Sequence, residues 1–155
     1  MDYLKAQQDI LAEILTPNTR GVPYFHDKVK EQTAIFDSLG YYGYLIPDKL
    51  VAIDLSKCVE LHKFPFPICP ASSEYEITTD GTTVPAPVGK GTRVVYKNTK
   101  GDQIYIDKRL LAKYGKAIRL YQERPLGVIT VIDELKNTIG YLCPCRPPKN
   151  NPTNQ

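Results

Sequence analysis

The sequence predicts an α+β fold made of a single domain, in which a helix followed by an antiparallel three-stranded meander occurs twice. Three observations predict it. The chain has 155 residues, which is enough for one hydrophobic core and too few for two well-buried ones. Hydrophobic residues make up 42% and charged residues 24%, as in ordinary globular proteins. Short β-like runs bounded by turn residues recur in both halves, each time near a helical pattern.

The first half is predicted to begin with a helix. Residues 2–15 repeat apolar pairs at the spacing of one buried stripe, Asp2 is a suitable N-cap, and Pro17 follows the last pair. The weak pattern over residues 19–32 predicts an irregular connection. Three runs then predict the first meander: residues 34–36, 42–46 and 50–55.

A long connector is predicted between the halves. Residues 64–91 contain five prolines and three glycines, which remove ladder donors and weaken strands. One short strand, at 75–78, is therefore expected there. The second half opens with a predicted hairpin, residues 92–96 and 103–106, whose turn lies at residues 98–101.

A second helix and a second meander complete the predicted domain. Asp107 is the expected N-cap of a helix over residues 108–114, and Gly115 suits its C-terminal end. Three strands should follow, at residues 117–121, 127–132 and 139–143. We expect the domain to comprise residues 1–145 and residues 146–155 to form a disordered tail.

Positive charge is concentrated in the second half. The chain has a net charge of +3, but residues 90–119 hold nine lysines and arginines against two aspartates, so this window carries +7 and the remainder −4. Positive charge concentrated in one part of the chain is expected where a protein binds phosphate or an acidic partner. A solvated lysine-rich surface would have the same composition.

Tyrosine is the dominant aromatic residue. The chain has eleven tyrosines, four phenylalanines and no tryptophan. Three of the tyrosines, Tyr41, Tyr42 and Tyr44, cluster in one predicted hairpin, and tyrosine provides rigid, amphipathic contact area at interfaces. They are candidate partner-binding residues, and the alternative is that alternate residues of this hairpin pack inward.

The sequence contains no recognisable catalytic or metal-binding motif. Neither of the two histidines belongs to a nucleophile and base arrangement. Closed zinc sites usually take ligands in pairs roughly two to four residues apart. Cys143 and Cys145 are closer than that, whereas Cys58 and Cys69 are farther apart. We therefore expect a protein that is not an enzyme and holds no cofactor and no metal.

The sequence gives no indication of membrane insertion. No apolar run approaches the roughly 18 residues needed to span a bilayer, and residues 1–5 lack the layout of a signal peptide. We expect a cytoplasmic protein with no membrane partner. Its four cysteines are then expected to be reduced thiols.

Part of the second half resembles the closing segment of the bacterial β sliding clamp, the processivity factor of the replicative DNA polymerase. The similar features are an Asp-capped helix with a leucine pair at residues 106–111, the sequence RPLGVI at 124–129, and a last strand ending in CPCR at 140–146. Residues 34–46 are similar to a second passage of clamp domains. The resemblance therefore includes residues from both halves of the chain.

The resemblance implies one processivity-clamp domain with two helices against curved antiparallel sheets. Clamp helices offer lysine and arginine to DNA phosphates without reading bases. The implied DNA-binding residues are Lys108, Arg109, Lys113 and Lys116. The first helix, with Asp9 and Glu13, departs from this pattern. Because a clamp ring is assembled from six such domains, encircling DNA would require a homo-oligomer of this chain.

Two functions follow as expectations. The first is a clamp-like accessory protein, from a phage or mobile element, that contacts DNA, a polymerase or another replication protein through the basic segment. The second is a protein-interaction module or phage-encoded inhibitor that binds a host protein through the tyrosine-rich hairpin.

Overall fold

The computed structural model describes residues 1–16 and 23–148. Within them the chain forms helices α1 (Tyr3–Leu15) and α2 (Lys108–Ala112) and two single-turn 3-10 helices, Asp48–Leu50 and Leu55–Lys57. The strands are β1 (Tyr24–Val29), β2 (Gln32–Asp37), β3 (Tyr42–Pro47), β4 (Val59–Glu60), β5 (Glu76–Ile77), β6 (Thr83–Pro85), β7 (Thr92–Lys97), β8 (Gln103–Asp107), β9 (Ile118–Tyr121), β10 (Ile129–Asp133) and β11 (Thr138–Leu142). The predicted α+β class is confirmed.

One mixed sheet joins the two meanders. Strands β1, β2 and β3 form the first, β9, β10 and β11 form the second, and their last strands pair antiparallel. The sheet order is therefore β4-β1-β2-β3-β11-β10-β9-β5, with β4 parallel to β1. Antiparallel pairing of equivalent strands is the arrangement that an approximate two-fold axis between the halves would produce.

A second, three-stranded sheet is built from β6, β7 and β8. Its β7–β8 hairpin is the one predicted from the sequence. The Asn98 side chain accepts hydrogen bonds from the backbone N–H groups of Lys100 and Asp102, and Gly101 provides the positive φ of the turn. Ile104 and Ile106 carry this sheet into the main hydrophobic core.

The first meander differs from the prediction. Residues 24–29, expected to be irregular, form strand β1, and residues 50–55 form no strand. The buried side chain of Gln7 accepts from the backbone of Ala52 and Ile53 at 2.7 and 3.1 Å and donates to the carbonyl of Leu50 at 3.0 Å. These backbone groups are thereby satisfied without a neighbouring strand. Pro17 and residues 19–22 lie outside the described residues.

Both helices have the predicted N-caps. The side chains of Asp2 and Asp107 accept from the backbone N–H groups of Lys5 and Arg109, at 3.0 and 2.8 Å. One member of each predicted apolar pair of α1 faces the core. Ile10 is buried with Ala6 and Gln7, and Tyr3 and Ile14 pack against the core. The other members, Leu4, Leu11 and Leu15, are exposed. Helix α2 is shorter than predicted because its last turn tightens to i→i+3 bonds. Residues 149–155 of the predicted tail are not described.

Tyr114, just after α2, lies across the β3–β11 pairing. Its buried hydroxyl is 2.7 Å from the carbonyl oxygen of Gly43 and 2.6 Å from that of Tyr141, one on each strand. A Cβ atom on Gly140 would lie 2.5 Å from the Tyr114 ring, and one on Gly43 would lie 2.5 Å from the Tyr141 ring. Both glycines are therefore required for this close approach. Burial raises the pKa of Tyr114 well above its ordinary value, so the hydroxyl remains a donor.

We predict that Tyr114→Phe lowers the free energy of unfolding by about 1–3 kcal/mol, because it removes a buried donor from the strand pairing. The matched control is Tyr105→Phe, whose exposed hydroxyl bonds only to the Gln103 side chain. That change should cost less than about 0.5 kcal/mol. Urea denaturation measures both, and equal effects would contradict the role assigned to Tyr114.

Candidate nucleic-acid interface

The structure keeps three of the four predicted DNA-binding residues together and places Lys116 elsewhere, since Arg109 and Lys113 line one groove with Asp2 and Asp9 of α1. Lys108 and Arg109 are exposed on the first turn of α2. Lys113 is half-buried at the end of the helix, and Lys116 is exposed but lines a groove formed with Glu76 and Asp133. The basic residues of this segment therefore do not form one continuous surface.

Two arginines from different elements meet around Asp107. The Arg109 guanidinium binds both carboxylate oxygens of Asp107, at 2.7 and 3.2 Å. Arg93 of β7 is the register partner of Asp107 of β8, and its Nη1 donates to the carbonyl oxygen of Arg146 at 2.8 Å. This bond brings the backbone of Arg146, an exposed residue, next to the Arg93 side chain. We call Arg93, Arg109 and Arg146 the arginine cluster.

The arginine cluster keeps a net positive charge. The hydrogen bond from Arg109, with the nearby charge of Arg93, lowers the pKa of the Asp107 carboxyl, which therefore stays ionised. The Asp107 carboxylate lies near two guanidinium groups, those of Arg109 and Arg93, and the exposed Lys108 is its neighbour in sequence. Guanidinium groups present planar paired donors that match phosphate oxygens. The sequence pointed to α2 alone, whereas the cluster also draws on β7 and on Arg146 after β11.

Cys145 lies within reach of the arginine cluster. Arginine side chains near a thiol favour its thiolate. Here burial is the largest influence and raises the pKa of Cys145, while the charge of Arg93 opposes it. The thiol is therefore protonated at neutral pH. It adds no negative charge that would offset the positive charge of the arginine cluster.

Lys113 is held against the core rather than extended into solvent. Its ammonium nitrogen lies 4.5 Å from the centroid of the Tyr42 ring, a cation–π contact. The Tyr42 hydroxyl hydrogen-bonds to the Tyr24 hydroxyl, which in turn donates to the Glu13 carboxylate at 2.8 Å. Burial raises the pKa of Tyr42 to about 12, so the ring is neutral under Lys113. This chain of contacts links α1, the sheet and the end of α2.

The tyrosine-rich hairpin offers less surface than the sequence suggested. Tyr42 and Tyr44 are only 6% and 2% exposed, so the prediction that they bind a partner is wrong for these two side chains. Both faces of β3 are covered, one by the main core and the other by Phe64 and Phe66 of the connector. Of the three hairpin tyrosines, only Tyr41 is exposed, at 57%.

The cysteines do not assemble into a metal centre in the described part of the chain. Residues 1–16 and 23–148 contain no group of three or more His, Cys, Asp or Glu side chains placed to hold a metal ion. Cys58 and Cys69 are buried separately, and the Cys143 thiol donates to the carbonyl of Gly40 at 3.3 Å.

We predict that alkylation will rank the four thiols by burial. Burial raises all four pKa values, that of Cys69 to about 11, so each thiolate fraction at pH 7.5 is below that of a free cysteine. Cys143 and Cys145 should react with iodoacetamide before the buried Cys58 and Cys69. Mass spectrometry of peptides from samples quenched over time measures the order, and unfolding in urea should abolish it. Early loss of Cys69 would contradict its placement.

Neither helix is long and apolar enough to cross a membrane, among residues 1–16 and 23–148. Comparison with known proteins finds no matching family model, no similar curated protein and no similar solved structure.

Proposed function

We propose that the chain is a non-enzymatic, clamp-like accessory protein of the cytoplasm that binds duplex DNA, or the replication machinery on it, through a basic surface. The observation that carries the proposal is the arginine cluster, in which Arg109 and Arg93, from two elements, lie beside the Asp107 carboxylate and Arg93 also bonds to the backbone of Arg146. Residues that are distant in sequence thus contribute to one basic surface.

Preorganisation supports a role in phosphate binding. Asp107 holds the Arg109 guanidinium through two hydrogen bonds, and a backbone carbonyl holds that of Arg93. Donors fixed in this way lose less side-chain entropy when an anion arrives. Guanidinium groups on rigid strands and a capped helix contact phosphates without reading bases, as sliding on DNA requires.

The arrangement of the halves supports the clamp-like part of the proposal. Each half has a helix and a three-stranded meander, and the last strands of the meanders pair to form one sheet. That is the order of elements which the resemblance to sliding clamps implies. Under this proposal, encirclement of DNA needs several copies of the chain, and contact with a polymerase is a further expectation.

A second function has one supporting observation. Leu39 and Tyr41, at the tip of the β2–β3 turn, are 65% and 57% exposed. An exposed leucine and tyrosine side by side suit a protein contact better than a phosphate contact. A protein-interaction module or phage-encoded inhibitor that binds a host protein would use this tip rather than Tyr42 and Tyr44.

We predict that Arg93→Gln and Lys108→Gln each weaken binding to duplex DNA about equally on unrelated sequences, because phosphate contacts carry no sequence information. Each change should also reduce the slope of log affinity against log salt by about 0.9. Lys116→Gln is the matched control, since its side chain lines another groove.

Fluorescence anisotropy with labelled duplexes, titrated between low and high salt, measures these effects. Affinity that does not change with salt, or that Lys116→Gln reduces as much as Arg93→Gln, would refute DNA binding through the arginine cluster. Loss of binding to a protein partner on Tyr41→Ser, with DNA binding absent, would favour the second function.

A further inference from the structure

The connection between β6 and β7 lies beside the arginine cluster. The backbone N–H of Ala86 donates to the carbonyl oxygen of Gly91 at 2.7 Å, which closes the connection into a tight loop. A Cβ atom on Gly91 would lie 3.8 Å from Nη2 of Arg109, so this end of the loop is next to the Arg109 guanidinium. Arg93 of β7 follows shortly after it. We call residues 86–91 the β6–β7 loop.

The hairpin that carries the loop has no negatively charged side chain. Residues 81–97, which include β6, the loop and β7, contain no aspartate or glutamate. Lys90 is exposed in the loop, whereas Lys97 lies at the opposite end of β7. The carboxylate of Asp107, on the neighbouring strand, is already held by a guanidinium group through two hydrogen bonds. The end of the hairpin near Lys90 is therefore positively charged.

The tip of the β6–β7 loop also presents an apolar side chain to solvent. Residues 87–90 are all exposed, and Val88, at 88%, is the most exposed of the large hydrophobic side chains in the described part of the chain. Glycines flank Lys90 on both sides, and Gly89 has a φ of 82° with no atom within 4 Å of a Cβ position. Such a backbone leaves Lys90 free to approach a ligand.

We propose that the β6–β7 loop belongs to the DNA-binding surface and contacts the duplex backbone through two side chains. Lys90 binds a phosphate next to those bound by the arginine cluster, and Val88 packs against a deoxyribose of the same strand. The inference rests on the proposed binding of duplex DNA and names the parts of the nucleic acid that the loop touches. Neither contact reads a base, so both are compatible with binding that is independent of sequence.

The composition of the loop favours nucleic acid over a lipid surface. Stable attachment to a membrane needs a broad apolar face or more than one anchor. The loop offers a single valine among alanine, proline, glycine and lysine. A DNA strand alternates phosphate with deoxyribose, whose carbon atoms form a small apolar patch beside each charge. One lysine and one valine, two residues apart in an exposed loop, match that alternation.

Lys100 provides a matched control for Lys90. Each is an exposed lysine next to a glycine of positive φ, and the two lie in the turns at opposite ends of β7. Lys90→Gln should weaken binding to a duplex of about 20 base pairs about fivefold at about 0.1 M salt, and lower the slope of log affinity against log salt by about 0.9. Lys100→Gln should change neither. Anisotropy measures both, and equal effects of the two changes overturn the proposal.

Val88→Ser tests the contact with the sugar. It should weaken duplex binding about threefold and leave the salt slope unchanged, because loss of an apolar contact releases no counterion. Val59→Ser, at a 40% exposed position on β4, is the control and should change neither value. Inorganic polyphosphate, which has no sugar, should bind equally to Val88→Ser and the unchanged chain. Unchanged duplex affinity on Val88→Ser, or a lower salt slope, overturns the proposal.

A pair of glycine substitutions separates binding from folding. Gly89 and Gly101 have φ values of 82° and 86°, and a Cβ on either would meet no atom within 4 Å. Alanine at each position should therefore lower the urea midpoint of unfolding by a similar amount. Gly89→Ala alone should weaken duplex binding, because it changes the backbone that presents Lys90. Weakening by both changes, or by neither, overturns the proposal.

Arg93→Gln distinguishes failure of the loop from failure of DNA binding itself. If Arg93→Gln weakens duplex binding while Lys90→Gln and Val88→Ser do not, DNA binding stands and the loop proposal is overturned. If the unchanged chain binds no duplex, both proposals fall. Binding to phosphatidylserine vesicles that Val88→Ser abolishes, without binding to duplex, would assign the loop to a lipid surface and overturn the proposal.

Discussion

The pairing of β3 with β11 is the constraint on which the rest of the structure depends, because among the described strands it is the one pairing that joins the two meanders into one sheet. Gly43 and Gly140 keep the pairing free of side chains, so that aromatic rings can lie directly on it. The Tyr114 hydroxyl bonds to a carbonyl of each strand. Since Tyr114 follows α2 immediately, the residue that closes the pairing also sets the position of the basic helix.

Helix α1 is connected to this centre by a second set of polar contacts. The Glu13 carboxylate, the hydroxyls of Tyr24 and Tyr42, and the Lys113 ammonium form a continuous series from one helix to the other. Gln7 bonds the opposite flank of α1 to the loop after β3. The two helices therefore present their free faces at fixed positions on one rigid scaffold, α2 with basic side chains and α1 with leucines.

Local signals predicted the second half well and the first half poorly. The β7–β8 turn and the Asp107 cap depend on neighbouring residues, so sequence patterns recover them. Strand β1 contains His26, Asp27 and Lys28 and exists because β2 pairs with it along its length. Contacts with residues distant in sequence also determine the structure of two other segments. The Gln7 side chain takes the place of a strand partner for the backbone of Ala52 and Ile53. Phe64 and Phe66 of the connector cover a face of β3 that the hairpin pattern predicted to be exposed.

The same physics explains why a basic stretch of sequence did not become one continuous basic surface. Successive strand residues point to opposite faces and turns redirect the chain, so Lys116 and Arg119 end beside acidic groups while Arg93 meets Arg109 and Arg146. The charge density along a β-rich chain therefore predicts the sign of a partner's charge better than it predicts which residues would bind that partner. Helix α1 shows the converse. Helical spacing keeps Leu4, Leu11 and Leu15 on one face whatever packs around them, so an apolar repeat along a helix does predict which residues share a surface.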